Sequence, residues 1–411
     1  MRKERSPLHG ENAGHSVVGH HYWARPGGGQ LVVAAAANSL SQRRRVTLAG
    51  TSRFEQAKYI SWFGIDIRGL PAVTLPVSLS MFGLYTRLLV WYPIEKALDA
   101  RTDVVFVDES NYRPLLRSKR RNGFQLVEYV HFPIELSVGL VGAKDPYVTE
   151  RYGRFPLNAY WRSYLKMMKL VLRKNPFDSA DLVLTNSRWT GQFLKETYGE
   201  SPTVLNPPIP PNAVPSEPPP AFDERDDSVV MVGRFSEEKR YQWAIENIGP
   251  RMKGRSKLYL FGGAGTPLSK RYKSRLLSCA VGLGMKASED IKGAADVYLI
   301  SDAPRAMINS TLDKAKVFLH STINEHWGIV VAEAMARGVP VVVHKSGGAW
   351  SDLAQEGRSG LGYTTAAEAI DSIALLTSDS KRWGILQREG GARVRELSLS
   401  NFARSLNQLV A

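Results

Sequence analysis

The chain has 411 residues, 43% of them hydrophobic and 23% charged, with a formal net charge of +15 and one cysteine, Cys279. That length exceeds one ordinary core and predicts two domains, while a lone cysteine excludes an intramolecular disulfide and fits a reducing compartment. The charge is uneven: residues 1–210 hold 28 Lys and Arg against 17 Asp and Glu, and the remainder 26 against 22, so the first half is expected to meet an anionic partner.

The opening MRKERSPLHGENAGHS is basic but has no apolar core after it, so no signal peptide is expected. HSVVGH then reads as a first strand. It ends in HHYWARPGGGQ, where Gly27, Gly28 and Gly29 precede an Ala-rich helix. Consecutive glycines let the backbone turn tightly and a ligand approach without Cβ obstruction. Gln30 follows the third glycine, so the pattern is not G-x-G-x-x-G and a dinucleotide site is not indicated. The uncharged run 69–86 carries Pro71, Pro76 and several polar residues, which argues against a membrane-spanning helix.

RRVTLAG, DVVFVD, QLVEYVHF and DLVLTNS are further strands, each followed by a helical stretch. His131 closes QLVEYVHF, and Asn186 and Ser187 close DLVLTNS. In YWRSYLKMMKLVLRK, apolar and cationic residues alternate at near-helical spacing, as in a helix lying at an interface. Residues 206–228 hold eight of the 23 prolines and the acidic run DERDD, read here as a stiff connector with solvated charges.

Five strands follow: SVVMVGR, KLYLFGG, DVYLIS, KVFLHS and VPVVVHK. Short apolar strands separated by helices indicate parallel sheets covered on both faces. VGRFSEEK ends the first of the five at Gly233 and then presents Arg234, a planar donor fork for phosphate oxygens, and Lys239, a compact positive charge. HSTINEHWGIVVAEAMARGVPVVVHKSGG (320–348) places Glu325 at a helix N-terminus and Glu333 about two turns into that helix. The free N–H groups of the first turn make a phosphate seat. A carboxylate beside such a seat repels phosphate, so Glu325 is suited to sugar hydroxyls. There is no Asp-x-Asp after a strand, no clustered Cys/His spacing for zinc, and no aromatic word of the RNA-binding type.

The words NEHWGI, AEAMARGVPVV and HKSGG resemble the E-x7-E signature of retaining glycosyltransferases of family 4 (group 1). Among its branches they look most like the α-1,2-mannosyltransferases that extend lipid-linked oligosaccharides from GDP-mannose. The resemblance implies an α/β chain of GT-B architecture, two Rossmann-like domains facing each other across a cleft. The expected boundaries are an acceptor-binding domain at 1–208, a Pro-rich linker at 209–228, a nucleotide-sugar-binding domain at 229–380, and a C-terminal helix at 381–411 crossing back to the first domain.

It further implies that Glu325 orients the transferred sugar, Glu333 holds the nucleotide ribose, and amides near Trp327, Gly328 and Ile329 join Gly233, Arg234 and Lys239 around the diphosphate. Gly28 and Gly29 would lie near the donor phosphates, His131 would hydrogen-bond the sugar, and Asn186 and Ser187 would help build the acceptor side. Expected partners are a nucleotide-sugar, GDP-mannose first, a lipid-linked glycan and an anionic membrane surface at the cytoplasmic face. Neither a cofactor, a metal nor a nucleic acid is expected. The alternatives are a UDP-sugar donor, glucose or N-acetylglucosamine, and a degenerate GT-B protein that binds membrane or nucleic acid without catalysis.

Overall fold

A computed structural model describes residues 14–75, 83–108, 112–133, 155–172 and 175–410. The chain divides into two compact units, 1–212 with 398–411, and 213–397.

Among the described residues the first unit is built on β1 (His15–His20), β2 (Arg45–Gly50), β3 (Ala72–Thr74), β4 (Thr102–Asp108), β5 (Gln125–Val130), β6 (Leu182–Thr185) and β7 (Thr203–Val204). They lie in the order β3-β2-β1-β4-β5-β6-β7, every neighbour parallel. β1 is buried along its whole length and β4 nearly so, as expected of central strands covered on both faces. The order reverses direction between β1 and β4. In open parallel sheets such a switch leaves a crevice beyond the strand ends, where ligands bind. His20 and Asp108 are the last residues of these two strands.

The second unit repeats the plan with β8 (Asp226–Arg234), β9 (Lys257–Gly263), β10 (Ala287–Ser288), β11 (Val297–Ser301), β12 (Ala315–His320), β13 (Val341–His344) and β14 (Leu361–Tyr363). Their order is β10-β11-β9-β8-β12-β13-β14, again all parallel. Its switch lies between β8 and β12, the strands that lead into Lys239 and Glu325. Among the described residues no helix is long and apolar enough to cross a membrane.

The boundaries differ from those drawn on the sequence. The helix Ser380–Glu396 packs within the second unit, burying Trp383, Leu386 and Val394. Only the last helix, Leu399–Leu409, belongs to the first unit. There Asn407 donates to the Ser39 carbonyl at 3.2 Å, and Arg44 to that of Val410 at 2.7 Å.

Nor is the acidic run wholly solvated. Arg225 within it is buried and donates to the carbonyls of Pro220, Leu312, Ala315 and Arg337, all at 2.9–3.0 Å, with the Trp383 ring 5.2 Å away. Asp227 accepts from Lys316 at 2.7 Å. The end of the proline-rich segment is therefore anchored to the second unit. Arg225→Met keeps the apolar stem but orphans buried carbonyls, which costs about 3 kcal/mol or more. A thermal melt is expected to show the second unit losing its structure several degrees earlier; an unchanged melt would show the anchor to be dispensable.

Candidate active site

In the second unit, Lys239 closes a short turn, Glu237–Lys239, after β8. Its Nζ donates to Glu325 Oε2 at 2.7 Å. His320, the last residue of β12, lies with Nε2 3.0 Å from the same oxygen. Both side chains therefore converge on Oε2, and Oε1 is left for a further donor. Burial would push the Glu325 carboxyl up, but the His320 hydrogen bond and the Lys239 charge outweigh it and hold the group well below the usual carboxylate range.

Local backbone explains how Glu325 is held. It pairs as an isolated parallel bridge with Gly347, and Gly348 N–H donates to its carbonyl at 2.7 Å. Ser346 Oγ accepts from Asn324 N–H at 2.8 Å. Gly347 has φ of +78°, and a Cβ there would come within 2.7 Å of the Glu325 nitrogen. Only glycine permits that turn so close to another backbone. Gly233 serves Lys239 similarly: a Cβ at 233 would press within 3.2 Å of the lysine stem.

The helix after Glu325 runs Ile329–Ala336, with Gly328 as its first flanking residue and no side-chain cap. Its first turn carries the amides assigned to phosphate, and Trp327 is buried beside it. Glu333 is the fifth residue of the helix, little more than one turn in rather than two. It is buried and accepts from Arg305 Nη1 at 2.6 Å. Arg234 is not drawn into this cluster. It is 77% exposed and paired with Glu238 at 3.0 Å, an ordinary i, i+4 surface contact.

The first unit holds a buried carboxylate at its own switch point. Asp108 Oδ1 lies 2.7 Å from His20 Nδ1, and Asp108 Oδ2 lies 3.5 Å from His131 Nε2. Burial opposes ionisation here too, yet the neighbouring His20 and His131 hold the Asp108 carboxyl far below the usual carboxylate range. The glycine turn reaches this cluster. Gly29 lies in the first turn of the helix Gly28–Leu40, and a Cβ on it would stand 3.2 Å from Asp108 Oδ2.

Asn186 and Ser187 are buried. Ser187 caps the helix Arg188–Tyr198 through the Thr190 N–H, and Asn186 Nδ2 donates to the His131 carbonyl at 2.9 Å. The Asn186 bond braces the His131 backbone.

Residues 226–379 match the family model described as glycosyl transferases group 1. The second unit is a group 1 glycosyltransferase domain. Two curated relatives carry the name GDP-Man:Man(3)GlcNAc(2)-PP-Dol alpha-1,2-mannosyltransferase. That of Xenopus tropicalis is 23% identical over 88% of this chain and 80% of its own length. That of Candida glabrata is 25% identical over 56% of this chain, and only 45% of its own length is covered. Among solved structures, Anabaena HepE in complex with UDP and glucose superposes with a TM-score of 0.63 at 16% identity, covering 97% of this chain and 99% of that one. WaaG, a glycosyltransferase involved in lipopolysaccharide biosynthesis, gives 0.62 at 14% identity, with the same coverage of both chains. The fold is GT-B.

Four residues of these clusters escaped the sequence reading: His320, Arg305, His20 and Asp108. Three of them end a strand at a switch point, a signal visible in VFLHS, HSVVGH and DVVFVD; Arg305 had no comparable signal.

Glu325→Gln removes the anion from between Lys239 and His320. Because the folded carboxyl is held low, its stabilisation is complete above the unfolded value near pH 4 and is lost as pH falls below it. The wild-type melting temperature is therefore expected to exceed that of the variant by a constant margin from pH 8 to 5, with the gap closing toward pH 3. A gap independent of pH would refute the ion pair.

Proposed function

We propose that the chain transfers mannose from GDP-mannose, with retention of configuration, to a lipid-linked glycan. The observation that carries this reading is the Lys239–Glu325–His320 cluster at the β8/β12 switch point, with one carboxylate oxygen left for a hydroxyl. The name shared by relatives that align over up to 88% of the chain supports the donor and the acceptor class.

In the proposed mechanism Glu325 Oε1 accepts from a hydroxyl of the transferred sugar and fixes its orientation. Lys239 and Arg234, with the amides of Trp327, Gly328 and Ile329, meet the charge that develops on the leaving diphosphate. Glu333 holds the ribose hydroxyls, and Gly233 keeps the approach to Lys239 clear. In the first unit, His131 hydrogen-bonds a sugar hydroxyl beside Gly28 and Gly29. The acceptor hydroxyl attacks the face from which the diphosphate departs, and a leaving phosphate oxygen takes its proton, so no protein nucleophile is required. Lys239 at the site, with the exposed Arg234 on the same loop, supports a reaction that runs without a metal.

Turnover across GDP- and UDP-sugars, with and without EDTA, tests the donor and the metal together. GDP-mannose is expected to be used, chelation to change nothing, and Arg234→Ala or Lys239→Ala to lower turnover by roughly a hundredfold. Preference for UDP-glucose or UDP-N-acetylglucosamine would replace the donor, and rescue by magnesium after chelation would reveal a metal. No turnover of any nucleotide-sugar would favour the non-catalytic alternative.

The reading includes peripheral attachment to an anionic membrane at its cytoplasmic face. The helix Leu157–Val171 buries Tyr164 and Met168 against the first unit but leaves Leu157, Met167 and Leu170 exposed among Arg162, Lys166 and Lys169. Phe155, just before it, is 82% exposed. The helix Arg113–Asn122 packs beside it and exposes Arg117, Arg120 and Arg121. In the apolar run 69–91, Leu88 and Val90 are core residues, and 76–82 lie outside the described residues. Each near-surface cation is worth about 1 kcal/mol on anionic lipid, screened by salt. Co-sedimentation is expected to need anionic vesicles, weaken with salt, and fall when Met167 and Leu170 are both changed to Ser. Equal binding to neutral vesicles would remove the electrostatic part, and no binding to either would end the proposal.

A further inference from the structure

The first unit buries a charge that the reading above does not use. Asp108 ends β4, next to β1 and β5, and its side chain is 1% exposed. One neighbour can be assigned its tautomer from geometry alone. Gln30 Nε2 donates to the Tyr22 carbonyl at 2.8 Å, which fixes the orientation of the amide, and the same nitrogen lies 2.9 Å from His20 Nε2. An amide N–H there requires a bare Nε2, so the His20 proton sits on Nδ1 and is donated to Asp108 Oδ1. His20 therefore orients Asp108 through a single hydrogen bond to Oδ1.

Asp108 Oδ2 remains. It is buried, accepts no close hydrogen bond, and faces His131 Nε2 at 3.5 Å over the Gly29 backbone. The His131 main chain is fixed separately by Asn186. We infer that Asp108, oriented by His20 and Gln30, is a positioning residue that keeps a proton on His131 Nε2 and so sets which ring nitrogen, and which charge, the imidazole offers to a ligand. A buried carboxylate behind a working imidazole fixes both its tautomer and its orientation. Gly29 then has a packing duty besides any contact with donor phosphates, because a side chain there would crowd the carboxylate.

This inference rests on the proposed contact of His131 with a sugar hydroxyl, and its test separates the two. Asp108→Asn keeps the volume and the acceptor for His20 but turns an N–H toward His131, which demands a bare Nε2. On the full chain we expect kcat to fall about a hundredfold with little change in KM, and the same substitution to have no further effect in a His131→Ala background. A merely structural role would give equal losses in both backgrounds, and that result would overturn the inference. Near-wild-type turnover by His131→Ala alone would instead sink the His131 contact. Since Asp108→Asn could prevent folding, the wild-type protein supplies a second measurement. Long-range nitrogen–proton spectra of His131 are expected to show a protonated Nε2, and a bare Nε2 would overturn the proposal whatever the variants do.

Discussion

A carboxylate withdrawn from water must be met by donors or give up its charge, and Glu325 meets that demand through Lys239 and His320. The requirement ties together segments distant in sequence: the turn after β8, the end of β12 and the Ser346–Gly348 loop after β13. The backbone bridge to Gly347 and the side-chain bonds act on the same residue from opposite sides. The result is a carboxylate with one oxygen committed and one available, held in place by the fold. Such preorganisation is what lets a site stabilise developing charge without rearranging during reaction.

The first unit solves the same problem with different residues. Asp108 occupies the end of β4 as Glu325 follows the end of β12, and each lies at the reversal of strand order in its own sheet. The His20 imidazole supplies the close donor in one case, and an ammonium with an imidazole in the other. Doubly wound sheets bring strand ends from distant parts of the chain to one crevice, so charged and titratable side chains gather there while the strand bodies stay apolar.

The surface charge separates in a comparable way. The excess of Lys and Arg before residue 210 includes two adjoining helices of the first unit, one of which also exposes Leu157, Met167 and Leu170. The second unit instead turns several of its cations inward, Lys239 onto a carboxylate and Arg225 onto four carbonyls. The same residue types thus serve solvation or architecture according to what surrounds them.

By itself the sequence determined the parallel α/β plan, because short apolar runs alternating with helical spacing leave few other ways to cover both faces of a sheet. It also marked Glu325, Glu333, Lys239 and His131, whose local words carry a recognisable order. The tertiary structure decided how they are used. Nothing in the sequence shows that Lys239 and His320 share one oxygen of Glu325, that Arg305 meets Glu333, or that Arg225 is buried inside a run of acids. Nor does it tell that Arg234 stays at the surface while Asp108 lies beneath His131. Periodicity and motif are local properties of a chain, whereas a side chain's partner is set by which strand ends the sheet order makes neighbours.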